Sequence, residues 1–311
     1  MLHLRIITPT DLTERVVKML EAELAVTHVV VLPAAARQPP GDLVLCDVAR
    51  EGANEVLDEL RALGVDSRGA VTAEDMDLVL SASAKRAARA APGLGADAVV
   101  WEEIAQKTGE ETRLSATYLV FLCVATVIAG IGVLLDQPIL IVGAMVVGPE
   151  FGPLAALCLG LVQRRRTVVT RSLVTLVVGF AVAMAVTVLT TWILTWLGLV
   201  DEAMLTAPRP LTDFIWRPDA LSWVIAFLAG VAGMLSLTSA KSGALIGVLI
   251  SVTTVPAAAN AAVALAYGVT HEAWGSAVQL LVNLTAIVVA GIITLAVQRL
   301  WWKRPSVNPT A

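Results

Sequence analysis

The sequence predicts an α-helical integral membrane protein: six spans in two inverted three-helix repeats, preceded by an N-terminal α+β domain of ferredoxin-like βαββαβ order. Three observations lead there. Hydrophobic residues make up 57% of the 311 positions and charged residues 15%, whereas soluble domains run at about 45–50% and about 25%. The charge is uneven: residues 1–113 hold 31 of the 48 Lys, Arg, Asp and Glu side chains. The remainder divides into six apolar runs, each long enough to cross about 30 Å of hydrocarbon.

The polar region, residues 1–80, alternates strand and helix patterns. "LHLRIIT" reads as a strand. "DLTERVVKMLEAEL" places Leu12, Val16, Met19, Leu20 and Leu24 at helical spacing, with Thr10 or Asp11 as candidate cap. "VTHVVVL" is a strand, "ARQPPG" a loop, "DLVLCDVA" a strand, "NEVLDELRALG" a helix stopped by Gly64, and "GAVTAED" a fourth, weak strand. Such a domain suits a dimerising appendage or a ligand sensor, and its order alone does not choose. Residues 81–113 are a linker and an amphipathic helix. The linker, "SASAKRAARAAPGLGADA", is Ala-rich and basic, and its "GLGADA" follows no strand, so it is no dinucleotide loop. The helix, "VVWEEIAQKTGEETRLS", leads to the membrane, with Trp101 at the interface.

The apolar runs cover roughly 114–135, 138–162, 167–199, 220–240, 242–268 and 273–298. The organisation expected is a first repeat over 114–199, an extracytoplasmic loop over 200–219, a second repeat over 220–298 and a tail over 299–311. On one side of the membrane lie Lys107, Arg113, Arg164, Arg165, Arg166, Arg171, Lys241, Arg299, Lys303 and Arg304. On the other lie Arg209 and Arg217, beside Asp201, Glu202, Asp213 and Asp219. This imbalance places both termini in the cytoplasm of an inner-membrane protein. The cluster Arg164, Arg165 and Arg166 is chiefly a topology signal, and also a candidate contact for anionic headgroups.

The halves resemble each other. "AGIGVLL" (129–135) matches "AGVAGML" (229–235), and "PEFGPLAALCL" (149–159) matches "TVPAAANAAVAL" (254–265), pairing Pro153 with Pro256. Three spans per half requires the halves to be inverted. Inverted repeats with Pro/Gly-broken helices at matching places point to a secondary transporter with its site near the midplane.

Glu150 is the only charge between Pro138 and Val162. Pro149 and Pro153 lack N–H groups, so carbonyls one turn earlier lose their helical partner. Such breaks belong inside protein or beside water. A charge at the bilayer centre costs about 2.5–3.5 kcal/mol, and neutralising a Glu at pH 7 costs roughly 3.7 kcal/mol. A paired carboxylate and a protonated acid are therefore both open, and so is a purely packing role. The expected pathway residues are Glu150, Pro149, Pro153, Thr253, Thr254, Pro256 and Asn260, with Glu150 facing the interior near Thr254 and Asn260. Lys241 reads as a turn residue, Asp136 as a loop residue, Asn283 as a helix-packing group and the small-residue stretch "GALIG" (243–247) as close packing.

Several chemistries find no support in the pattern. The three cysteines (Cys46, Cys123, Cys158) are scattered, giving neither a disulfide framework nor a metal site. His3, His28 and His271 lie far apart, and "HEAWG" (271–275) lacks the second His of a zincin. Neither a Walker loop nor a nucleophile elbow is present. The N-terminal stretch has no apolar run of signal-peptide length. The net charge of −4 carries no nucleic-acid footprint. Neither enzyme activity, cofactor nor metal is expected.

The run "YLVFLCVATVIAGIGVLLDQPILIVGAMVVGPEFGPLAALCLGLVQRRR" (118–166) and the block "SGALIGVLISVTTVPAAANAAVALAYG" (242–268) resemble the bacterial membrane family called domain of unknown function 389. The resemblance covers about residues 114–268. It implies a membrane fold and no particular activity. Where many members carry an apolar residue this chain has Glu150, so chemistry at that carboxylate belongs to this chain and not to the family.

The function expected is a transporter or channel for a small solute or ion, working as a homodimer in the bilayer. The alternative is a non-transporting sensor or scaffold whose cytoplasmic domain binds a ligand.

Overall fold

The structure, a computed structural model, describes residues 1–76, 78–91, 99–239 and 254–302. The chain forms two compact units, one built on Met1–Ile104 and the other on Ala105–Leu237 with the helices that follow.

In the first unit β1 (Leu2–Thr8), β2 (Val26–Arg37), β3 (Pro40–Val48) and β4 (Ala70–Asp75) form one sheet in the order β2-β3-β1-β4. Every neighbouring pair is antiparallel. The crossovers contain α1 (Thr13–Ala22) and α2 (Ala53–Ala62), and a four-residue α3 (Val65–Arg68) precedes β4. Leu4 and Ile6 of β1, Val44 and Cys46 of β3, Val16 and Leu20 of α1 and Val56 and Leu60 of α2 make the core. These positions alternate along the strands and recur at three or four along the helices, the periods that turn one face inward. Burial, with the charge of Asp47, pushes the Cys46 thiol up to about 12, so it is no nucleophile.

Local outcomes differ from expectation in three places. Residues 36–41 are not an open loop: the ladder continues to Arg37 opposite Pro40, leaving Gln38 and Pro39 as the turn. Neither Thr10 nor Asp11 caps α1. Asp11 instead pairs with Arg68, whose hydrogen bond holds its carboxyl below the usual range. The basic stretch after residue 80 contains a helix, α4 (Ala82–Ala90), capped by the Ser81 hydroxyl, which accepts from the Ala84 amide. A further helix, α5 (Trp101–Glu111), begins where the Asn54 carboxamide accepts from the Trp101 amide.

The second unit is helical. Four helices are long and apolar enough to cross a membrane: α6 (Ala116–Leu134), α9 (Arg166–Trp196), α11 (Ala220–Thr238) and the last helix, α13 (Thr270–Trp302). Helices α7 (Pro138–Val147) and α8 (Phe151–Val162) form a broken pair bent by 52°. Helix α12 (Thr254–Ala266) is short and apolar. The described residues thus give four helices of spanning length, one bent pair and one short helix, not six separate spans. Residues 242–253 of the fifth run lie outside them, as do Lys241, Thr253, "GALIG", "GLGADA", Lys303 and Arg304.

The break has a covalent cause. Pro149 has no N–H for the Met145 carbonyl, and Pro153 none for the Pro149 carbonyl, so the ladder fails across 148–150. Helix α9 has the opposite problem, several hydroxyls in an unbroken span. Thr187, Thr190, Thr191 and Thr195 each donate to the carbonyl four residues earlier, which removes unpaired hydroxyls from an apolar setting.

Helix α8 packs on α9 and α13, and α12 packs on α13, α9 and α6. The segment after α9 is no free loop. α10 (Glu202–Thr206) and a 3₁₀ turn (Asp213–Ile215) bury Val200, Leu205 and Ile215 among Val133, Ile141, Met145, Val263 and Ala273.

Candidate functional site

Glu150 stands at the break between α7 and α8 and is 4% exposed. Its Oε1 accepts a hydrogen bond from the Thr254 hydroxyl at 2.7 Å, across 104 residues of sequence. Glu150 is itself the residue before the first turn of α8, so the carboxyl lies at a helix N-terminus, where the backbone dipoles favour negative charge. Pro153 is the third residue of α8, and Pro256 lies in α12. Glu150 Oε2 is buried without a hydrogen-bond partner among the described residues. It lies over Gly148, where the Val255 methyl also approaches.

Asn260 does not join Glu150. The sequence reading grouped them; the structure places Asn260 two turns further along α12, in a separate polar cluster. Its Oδ1 accepts from Arg209 Nη1 at 3.3 Å. Its Nδ2 donates to Glu272 Oε1 at 3.0 Å and to the Ser276 hydroxyl at 2.7 Å. Arg209 Nη2 also donates to Glu272 Oε1. Arg209, expected as an ordinary loop cation, is 3% exposed. The local cause is Pro208 and Pro210 on either side of it: the residue before a proline is pushed to an extended conformation. The Arg209 carbonyl accepts from the Thr212 and Asp213 amides, fixing the turn that follows. Asp136 accepts from the Thr212 hydroxyl at 2.8 Å and ties this segment to the α6–α7 turn. The His271 ring stands edge-on to Trp216 at 5.3 Å.

Below that cluster the last helix stays polar inside. Gln279 and Asn283 are both buried, and Gln279 Nε2 donates to Asn283 Oδ1 at 3.3 Å. Sequence reasoning missed Arg209, Glu272, Ser276 and Gln279. A signal existed: polar residues at 272, 276, 279 and 283 recur at helical spacing within an apolar run. It also missed a cluster in the first unit. His3 Nδ1 and His28 Nδ1 donate to the two oxygens of Asp47 at 2.7 and 2.6 Å, and His28 Nε2 meets the Ser81 hydroxyl at 2.8 Å. Among the described residues no group of three or more His, Cys, Asp or Glu side chains could hold a metal ion. Arg164, Arg165 and Arg166 are exposed, at the turn leading into α9.

Residues 145–289 match the family described as Domain of unknown function (DUF389). The match takes in Glu150, Thr254, Asn260, Arg209, Glu272 and Asn283. An uncharacterized protein of Methanocaldococcus jannaschii is 25% identical over 210 residues, which cover 66% of this chain. The chain spans 63% of that relative's length. No solved structure matches. Residues 145–289 are thus similar to that domain of unknown function, and both polar clusters of the helical unit lie within the matched residues.

Proposed function

We propose that the protein is a transporter or channel for a small solute or ion, with its site near the midplane between two Pro-broken helices. One observation carries this: a buried carboxyl at a break in an apolar helix pair, bonded to Thr254 of a second Pro-containing helix, with one oxygen that has no partner among the described residues. A packing residue at that place would be cheaper as Leu.

The packing supports inverted repeats. α6 and α11 are each 19 residues long. α8 and α12 each pack on both long helices. Gly130 of α6 meets Thr187 of α9, as Gly230 of α11 meets Ile287 of α13. The antiparallel β2-β3-β1-β4 order, with helices in the two crossovers, supports the ferredoxin-like reading of the first unit. The basic-residue imbalance supports cytoplasmic termini in an inner membrane. The abundance of small residues on the spans supports a homodimer.

The test is accessibility. In a protein whose native cysteines are Ala, Thr254→Cys should react with a membrane-impermeant thiol reagent from at least one side of sealed vesicles. A Cys at Ala311 should react only from the cytoplasmic side, and light scattering in nanodiscs should give twice the chain mass. A Thr254→Cys that reacts from neither side, yet reacts once unfolded, would mean a solid membrane core and favour the sensor or scaffold reading.

A further inference from the structure

Glu272, Ser276, Gln279 and Asn283 follow one another at offsets of four, three and four, so they form one stripe along α13. Each is at most 6% exposed. At 1.5 Å per residue the stripe is about 16 Å long, roughly half the hydrocarbon thickness. Helices α12 and α13 are antiparallel neighbours joined by a three-residue turn, and the Asn260–Ser276 hydrogen bond sets their register. Six residues back along α12 is Thr254, and six residues on along α13 is Val282. Asn283 therefore stands at the depth of Thr254, and so of the Glu150 carboxyl bonded to it. The stripe runs from the Arg209–Glu272 pair to the level of the helix break.

Glu272 begins the stripe, and the Glu150 carboxyl lies at the depth of its other end. Between them lie Ser, Gln and Asn side chains, each able both to donate and to accept. Three buried atoms on or at the ends of this line have no hydrogen-bond partner among the described residues: Arg209 Nε, Gln279 Oε1 and Glu150 Oε2. Leaving such atoms unpaired is costly, and apolar side chains of similar size would avoid the cost. Glu150 Oε2 is a single free oxygen beside Gly148 and a Val255 methyl. A metal ion needs several oxygen ligands; a proton needs one.

We propose that this stripe is a proton path between the Arg209–Glu272 pair and Glu150, and that the species carried is a proton. The inference rests on the transport reading and names its cargo. The step is acid–base only, with water as the carrier between the two carboxyls: hydronium passes its proton from water to water, and the Ser276, Gln279 and Asn283 side chains hydrogen-bond that water without being ionised. A proton arriving at Glu150 Oε2 forms one O–H bond and neutralises the carboxylate; release to water on the other side breaks that bond and restores the charge. At the loop end Glu272 takes up a proton when its contact with Arg209 opens. Among the described residues the titratable and charged groups that bear on each carboxyl are Arg209 on Glu272, with His271 adjacent but turned to Trp216, and Tyr118 of α6 in electrostatic reach of Glu150.

The experiment uses the full chain in phosphatidylcholine–phosphatidylglycerol liposomes with a trapped pH dye. A potassium gradient and valinomycin set an inside-negative potential. The interior should acidify roughly tenfold or more faster than in empty liposomes, and Glu150→Gln or Gln279→Leu should each cut the rate about tenfold. Gln279→Leu nearly conserves volume and removes the hydrogen-bonding atoms, so a packing role alone would leave the rate unchanged. Ser276→Ala, a smaller change on the same line, should cut it roughly threefold and serves if the Leu variant does not fold. A wild-type rate equal to empty liposomes overturns the proposal, and so does a wild-type rate in folded Glu150→Gln, Gln279→Leu or Ser276→Ala. Reaction of Thr254→Cys without proton flux would overturn the proton path and keep the transport reading.

Discussion

Arg209→Met should destabilise the helical unit by about 3–5 kcal/mol, the usual loss when one member of a buried ion pair is removed. Among the described residues Glu272 would keep only Asn260 Nδ2 as donor. Its carboxylate, on a residue 6% exposed, would then sit uncompensated. The decisive comparison is the double variant Arg209→Met/Glu272→Leu. With both charges gone, the desolvation cost that the pair carried disappears, so most of the lost stability should return. Melting in detergent, followed by intrinsic fluorescence, reads all three proteins. If the double variant melts as low as Arg209→Met alone, the pair is not the source of the loss.

Gly230→Val is the second large effect. A Cβ on Gly230 would stand 2.8 Å from Ala290 Cβ, 2.9 Å from Ile287 Cα and 3.0 Å from the Ile287 carbonyl oxygen. Two of these are backbone atoms of α13, so no rotamer change makes room and the two helices must part. Overpacking of this kind costs about 1–3 kcal/mol, and the backbone contact places Val at the upper end. Gly130 offers the contrast. There the neighbours are the Val263 and Thr187 methyls, at 3.1 and 3.2 Å, which can yield. Gly130→Ala should therefore lose less than Gly230→Ala in the same melting assay, and the reverse order would contradict the packing described.

Both predictions concern contacts across long stretches of chain, and that separates what was legible from what was not. β1 was readable as Leu2–Thr8 because alternation is a property of adjacent residues. The break at 148–150 was readable because a missing N–H is covalent. The interior position of Glu150 beside Thr254 followed from the cost of an unpaired charge in hydrocarbon. Helix α4 was passed over because its Ala-rich, basic composition looked like a linker, although Ser81 offered a cap.

Arg209 shows the boundary. Charge patterning assigned it to a loop on the less basic side, and it does lie in the segment between α10 and the 3₁₀ turn. Its burial depends on that segment folding onto the bundle end, through Val200, Leu205 and Ile215 and through Thr212 to Asp136. Asn260 was assigned to the wrong carboxyl for the same reason. On α12 it stands only six residues from Thr254, but which acid it meets depends on the neighbouring helix. Composition, periodicity and proline placement are local, so they settled which segments are strands, which are apolar helices and where one helix must break. The partner of each buried polar group depends on which distant segment packs against it, and hydrogen-bond demand sets the need for a partner without naming it.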